Sequence, residues 1–322
     1  MCYSAMIQAD YDKYVREYGA TMSLDDFALN VWARPERNPS RRQRAKKRVR
    51  AMEDWLRGAD AKLWEQIVAE RAQRESEAQQ ELFKQARRLA DAERSLLTKT
   101  TKKAQEDQRI ASAKIEKLKA DLADLQRTDF KPKDARFFPG MYAPVIVMEG
   151  GRRVIKPMRY QCRLPTWNEF VERKFPGTYN ARRDSIPKTW KSLFGSRHGI
   201  IVVNAFYENV ERHAMEHREL APGEESENVV LEFRPRPEQD MVIACLWNES
   251  DDDGEQLLSF AAITDDPAPE VAAAGHDRTI IQIKPQHIDA WLTPEGRSED
   301  ELYAILDDRP EAYYEHRIAR AA

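Results

Sequence analysis

The chain has 322 residues, 33% of them charged, and a mean hydropathy of −0.75. It is long enough for one large core or two smaller ones, and no apolar run approaches the roughly 20 residues that span a bilayer. The net charge of −3 is uneven: residues 1–130 carry 27 Lys and Arg against 22 Asp and Glu, the remainder 25 against 33. An acidic larger part excludes a general nucleic-acid coat, so any contact with nucleic acid has to be local.

The start lacks the basic-then-hydrophobic order of a signal peptide. Three scattered cysteines, Cys2, Cys162 and Cys245, make neither a disulfide framework nor a CxxC metal site. No metal and no cofactor is expected, no membrane contact either, and the location expected is a reducing cytoplasm.

Residues 1–8 (MCYSAMIQ) predict a short strand, and 9–30 a helix-prone segment. RRQRAKKRVR at 41–50 holds seven basic residues in ten; it reads as a solvated helix face or a phosphate-contacting patch. From Ala59 to Lys131 there are 73 residues without Gly or Pro, dominated by strong helix formers. Met52, Leu56, Leu63 and Ile67, then Ile115, Leu118, Leu122 and Leu125, recur at helical and a/d spacing. LLTKTTKK at 96–103 concentrates β-branched threonines, which lower helix propensity. The pattern predicts two antiparallel helices turning near Thr98–Thr101, with one continuous helix as the alternative, serving as a spacer or as a contact for a protein partner.

After Pro132 strand-length apolar runs take over: YAPVIVM, GIIVVNAFY, ENVVLEFRP, MVIACLW, LLSFAAIT and TIIQIKP. ESDDDGE at 249–255 reads as the acidic turn of a long-loop hairpin rather than a metal site. From Pro285 the pattern turns helical again (QHIDAWL, SEDELYAILD). The fold class expected is α+β, a mainly antiparallel β core with peripheral helices and an inserted helical arm.

Four stretches carry reactive side chains. Once Met1 is removed, Cys2 offers an α-amine and a thiol on adjacent carbons, with ordinary pKa values of about 8 and 8.5. That pair condenses with an aldehyde, first to an imine and then to a thiazolidine, which an internal cysteine cannot form. In TYNARRDSI, Asn180 can hold a substrate or an amine and Arg182 can clamp a phosphate. Glu208 follows the apolar run IIVVNAFY, a strand-end setting that raises a carboxyl pKa and suits general acid–base work. Thr264 ends SFAAIT, and His276 enters the next run in GHDR, where an imidazole can orient or protonate a reacting oxygen. Taken singly, these residues equally suit a polar loop, a salt-bridged glutamate and a structural histidine.

Their order is more telling. MC, then NAR (180–182), AFYEN (205–209), SFAAIT (259–264) and GHDR (275–278) resembles the SRAP family (SOS-response-associated peptidase). Its members begin MCGR, followed by an NAR element, a strand with a Tyr/Phe-Glu-Trp ending, an hxxxT strand and an H-D/E-R strand. The match covers residues 1–8 and roughly 131–292, and RFFPGMYAPVIV is similar to the family's R-x-N-x-x-PG strand entrance. Residues 1–8 and 131–322 would then form the SRAP-like domain, and 9–130 an inserted helical segment with its coiled-coil-like arm at 52–127. The resemblance implies an open β barrel with flanking helices around a groove. It also implies shielding of abasic sites in single-stranded DNA by a thiazolidine cross-link, with peptidase- and lyase-like activity, a DNA-damage role and nucleoid association on DNA. Carried over, Cys2 is the nucleophile, Asn180 positions its amine, Glu208 is the acid–base and His276 assists sugar ring opening. Arg182 and Arg278 would bind phosphates, Thr264 would belong to the DNA-binding set, and Trp167 is either a shelf for a base or a core tryptophan.

The sequence departs from the family at Tyr3-Ser4 in place of Gly-Arg, at Asn209 in place of Trp, and at Thr279–Ile281 where a proline is usual. These changes fall on the DNA-contacting rim more than on the pocket. Two other functions fit the sequence: an autoproteolytic N-terminal-nucleophile peptidase, and a non-enzymatic DNA-binding scaffold working through the arm.

Overall fold

The computed structural model describes residues 3–22, 50–251 and 256–319. Cys2, most of the basic run (41–49) and the tip of the acidic turn (252–255) lie outside the described residues. The chain divides into two compact units, Met1–Trp55 with Pro132–Ala322, and Leu56–Lys131.

The β-rich unit begins with β1 (Ser4–Ile7), α1 (Tyr11–Tyr18) and β2 (Thr21–Met22), and α2 (Arg50–Ala59) runs from it into the second unit. The second unit is built on α3 (Ala61–Thr98) and α4 (Lys102–Gln126). Then follow β3 (Arg136–Phe137), β4 (Tyr142–Glu149), β5 (Arg152–Tyr160), α5 (Glu169–Lys174), β6 (Asn180–Arg182), β7 (His198–Glu211) and α6 (Arg212–Met215). The last elements are β8 (Asn228–Arg236), β9 (Met241–Asp251), β10 (Gln256–Asp265), α7 (Pro269–Ala273), β11 (Thr279–Ile280), α8 (Ile288–Leu292), α9 (Glu299–Asp307) and β12 (Tyr313–Ile318).

β5, β4, β7, β9 and β10 pair in a ring, so the expected barrel is closed rather than open. Two seams of the ring are short. β10 meets β5 in parallel at Ser259↔Arg159 and Phe260↔Tyr160, and β4 meets β7 at Ile146↔Ile200. The second seam depends on Gly199: a Cβ there would stand 2.8 Å from Val145 Cγ1 and 3.3 Å from the Ile146 carbonyl oxygen. Ile200–Val203 are buried without alternation, because β7 has one face in the barrel and the other under packed elements. On the covered side the Trp291 indole of α8 donates to the Gly199 carbonyl at 3.0 Å and stacks on His198, centroids 3.8 Å apart. Burial lowers the His198 pKa to about 3, so this histidine is neutral and structural.

Residues 9–22 and 50–55 cluster with the barrel, although the sequence reading grouped them with the helical insert. Tyr14 is fully buried, its ring centroid 5.2 Å from that of Trp55, whose indole donates to the Ala9 carbonyl at 2.7 Å. Aromatic packing of this kind ties these helical residues to the barrel unit.

The helical unit is a hairpin turning at residues 99–101. Asp60 caps α3 by accepting from the Leu63 N–H, and Thr101 caps α4 by accepting from the Ala104 N–H. Leu63, Ile67 and Ala92 from α3, with Ala104, Ala111 and Ile115 from α4, form the buried seam. Arg88 to Asp107 at 2.5 Å and Gln126 to Glu75 at 2.6 Å fix the antiparallel register.

Candidate functional site

The site is organised around the far end of β7. There β1 pairs on one edge (Ser4↔Tyr207) and β8 on the other (Glu208↔Leu231), which leaves Glu208 1% exposed. The Tyr3 N–H donates to Glu208 Oε2 at 3.3 Å and to the Tyr207 carbonyl at 3.2 Å. His276 Nε2 lies 3.3 Å from the same carboxylate oxygen. Two residues 68 positions apart in sequence are thus brought into one buried acid–imidazole pair.

Burial pushes the Glu208 carboxyl well above the usual range and pulls the His276 imidazole below its own. Both shifts favour the neutral pair, a protonated acid beside an uncharged ring. His276 Nδ1 faces the Arg278 carbonyl at 3.0 Å and the Arg278 N–H at 3.3 Å. Either tautomer therefore has partners. With the proton on Nδ1, the ring donates to the carbonyl and accepts from Glu208; with it on Nε2, the ring donates to Glu208 and accepts from the Arg278 N–H. A ring supported in both tautomers can move a proton without turning.

Beside this pair, β6 runs parallel to β10, and β10 pairs with β11, which His276 precedes (Ala262↔Asn180, Thr264↔Ile280). Thr264 was expected at the DNA surface. It is 1% exposed and its hydroxyl donates to Asn180 Oδ1, so it acts on Asn180 and not on DNA. The amide nitrogen of Asn180 is buried with no hydrogen-bond partner among the described residues. A buried donor left unpaired costs about 1–3 kcal/mol.

One wall was not visible in the sequence. Arg136 Nε donates to the Ser4 hydroxyl at 3.0 Å, and its guanidinium lies over the rings of Tyr207 (3.7 Å) and Phe138 (4.8 Å). Tyr3 packs edge-on against Phe138 at 5.6 Å. Arg136 stood in the sequence only as part of a strand entrance, and nothing local marked it as lying against residues 3–4. The other cysteines are inert: Cys162 and Cys245 are both buried, and burial pushes the Cys162 thiol up to about 12 and that of Cys245 higher still.

The outer rim departs from a simple phosphate clamp. Arg182 is exposed but holds Asp184 through Nε at 2.8 Å and Nη2 at 2.5 Å, and Arg278 pairs with Asp277 at 3.3 Å. Trp167 is half-buried, its ring 5.5 Å from Phe175. Phe175 and Phe170 are largely exposed, with the Lys174 ammonium 4.4 Å over the Phe170 ring. The two phenylalanines escaped the sequence reading, although their position around a short charged helix, NEFVERKF, could have marked them. Immediately before Trp167, Thr166 has φ 71, a left-handed conformation costing a β-branched residue about 1–3 kcal/mol.

The described residues thus form a closed α+β barrel with a buried acid–imidazole pair beside its N-terminal strand. The model of the SOS response associated peptidase (SRAP) family matches residues 94–321. The chain belongs to that family, which associates it with the DNA-damage response and with peptidase-like, DNA-processing proteins.

Similar solved structures include a Bordetella bronchiseptica protein, 18% identical over 58% of this chain and 88% of its own, with TM-score 0.47. A Bacteroides thetaiotaomicron protein is 15% identical over 58% and 78%, TM-score 0.44. A phage-related protein from Bordetella bronchiseptica is 16% identical over 58% and 82%, TM-score 0.43. No curated protein matches the chain.

Proposed function

We propose that the protein captures abasic sites in single-stranded DNA by condensing Cys2, freed by removal of Met1, with the ring-opened aldehyde of the lesion. The α-amine adds to the aldehyde carbon and water leaves, giving an imine. The thiol then adds across the C=N bond, sulfur to carbon and proton to nitrogen, and a thiazolidine closes. Aldehyde and cysteine give thiazolidine and one water, with no change in oxidation state.

The observation that carries this reading is the chain of contacts from Tyr3 to Glu208 to His276, each at 3.3 Å. Tyr3 is joined to Cys2 by a peptide bond, so the acid–base pair stands next to the nucleophile's covalent neighbour. Protonated Glu208 donates to the hydroxyl that departs as water at the imine step and recovers the proton that the nitrogen loses in the same step. His276, with partners in both tautomers, relays the proton that opens the sugar. Asn180, its amide held by Thr264, positions the α-amine. Trp167 stacks on a base next to the lesion, a contact of ~1–3 kcal/mol. Arg182 and Arg278 supply phosphate contacts, and the basic run at 41–50 adds to them.

The test incubates purified protein with a single-stranded oligonucleotide carrying one abasic site, followed by a denaturing gel and intact mass. A heat-stable adduct is expected, equal in mass to protein without Met1 plus DNA minus one water. It disappears in Cys2→Ala and in protein that retains Met1. Absence of an adduct despite a free Cys2 overturns the reading.

A further inference from the structure

We propose that the Arg159–Glu172–Arg163 cluster is a positioning element that holds the turn from Gln161 to Trp167 so that Trp167 and Phe175 present a stacking surface to a nucleobase. This rests on the single-stranded DNA reading above and adds residues to it that touch no DNA.

One carboxylate ties three segments together. Glu172, on α5, accepts from Arg159 of β5 and, at 3.0 Å, from Nε of Arg163 in the turn. Arg159 also donates to the Gln161 carbonyl at 3.1 Å. Arg163 and Glu172 are 2% and 4% exposed. The turn backbone is fixed as well: Gln161 N–H donates to the Phe260 carbonyl at 3.0 Å, Arg163 N–H to the Ser259 hydroxyl at 2.9 Å, and Asn248 Nδ2 to the Arg163 carbonyl at 2.7 Å. Phe175 closes α5, its N–H donating to the Glu172 carbonyl at 3.1 Å. The short helix that carries the clamping carboxylate therefore ends at the second aromatic residue.

Fold stability alone does not account for this arrangement. The Arg163 guanidinium and the Glu172 carboxylate are buried, with half-buried Arg159 beside them, where an apolar trio would serve at least as well. Gln161 and Thr166 sit at φ 128 and φ 71, positions where glycine would be free of strain. Phe170 and Phe175, at 65% and 57% exposed, leave apolar surface in water. All three features are accounted for by one requirement, that a rigid aromatic surface beside cationic side chains face outward, which is what single-stranded nucleic acid binds.

The test compares Glu172→Gln and Thr166→Gly in the full-length protein. Fluorescence anisotropy reads binding to undamaged and abasic single strands, and mass spectrometry reads thiazolidine formation at Cys2 with glycolaldehyde. Each variant is expected to raise the Kd for both strands roughly tenfold, about the stacking of one base, while the glycolaldehyde rate stays unchanged. In a Trp167→Ala background neither variant lowers affinity further. Thr166→Gly relieves the strained φ, so its Tm does not fall and its lost affinity cannot be attributed to unfolding. Wild-type affinity in Thr166→Gly, or an undiminished loss in the Trp167→Ala background, overturns the proposal. If wild-type protein reacts with no aldehyde, the capture chemistry fails, while anisotropy on undamaged strands still decides the role of the cluster.

Discussion

Replacing Glu208 by Gln separates the chemistry of the site from its cost to the fold. The amide keeps the volume, and its oxygen in the place of Oε2 can accept from both the Tyr3 N–H and a protonated His276 Nε2, so the contacts at 3.3 Å survive. What is lost is a transferable proton, and removal of a general acid–base lowers a rate by about 10²–10⁴, or roughly 2.7–5.5 kcal/mol. Stability moves the other way. Burial raises the folded-state pKa of Glu208, so its contribution to stability is complete below the unfolded value and is lost as pH rises through the folded one. At pH 7.5 the wild type carries that penalty and the Gln variant does not. Each tenfold by which folding disfavours the carboxylate corresponds to about 1.4 kcal/mol, and each kcal/mol moves the Tm of a domain of this size by about 2–4 °C. A Tm increase of that order is expected at pH 7.5, shrinking to nothing near pH 4, together with the slower cross-linking. A Gln variant that melts lower at pH 7.5 and cross-links within tenfold of wild type would show Glu208 to be a structural acceptor, and the proton-transfer argument would fall.

Thr264→Val keeps the shape of the side chain but strips the donor from Asn180 Oδ1. Chemical denaturation should show a loss of about 1–3 kcal/mol and gel assays a slower adduct; unchanged values for both would detach Thr264 from the site. Asp184→Asn releases the exposed Arg182 from its bidentate partner. Single-stranded DNA should then bind more tightly, with the salt slope steeper by about 0.7 for one added phosphate contact; an identical slope would mean Arg182 reaches no phosphate. Gly199→Ala drives a methyl group into Val145 Cγ1 at the narrow β4–β7 seam. Overpacking of this kind costs about 1–3 kcal/mol, and a calorimetric Tm at or above wild type would show that the seam relaxes freely.

The parts of the fold that could be read in the sequence are those whose apolar residues are continuous. YAPVIVM, GIIVVNAFY, MVIACLW and LLSFAAIT became β4, β7, β9 and β10, because barrel strands covered on both sides need no polar alternation. β5 escaped notice because RRVIKPMRY mixes charges with a proline, and the structure sets Pro157 opposite Pro144 across the β4–β5 ladder. β12 escaped because YYEHRI is an edge strand with one buried residue. The hairpin was legible from the absence of Gly and Pro and from its cluster of threonines. In the site, the chemistry of single residues was legible but their pairings were not. Glu208 meets His276, and Thr264 meets Asn180, only because β7, β10, β11 and β6 converge, and no local pattern encodes a contact across 68 or 84 positions. The Asp184 and Asp277 partners of the rim arginines were in plain view, yet whether neighbouring charges neutralise each other depends on backbone geometry.

β1 finds all its strand partners late in the chain. Ala5 pairs with Phe137 on one side and Phe206 on the other, with the whole helical hairpin in between. During synthesis the first strand made must wait until β7 has emerged before it can dock, and closing so long an intervening loop is slow. Until then Tyr3 has no Glu208 to bond, and the acid–imidazole pair has no strand beside it. A chain truncated before Glu208, or stalled during translation, carries β1 without the strand and the carboxylate it docks against. Topology thus acts as a timer: Tyr3 and Glu208 meet only once the strands between them in sequence have been made.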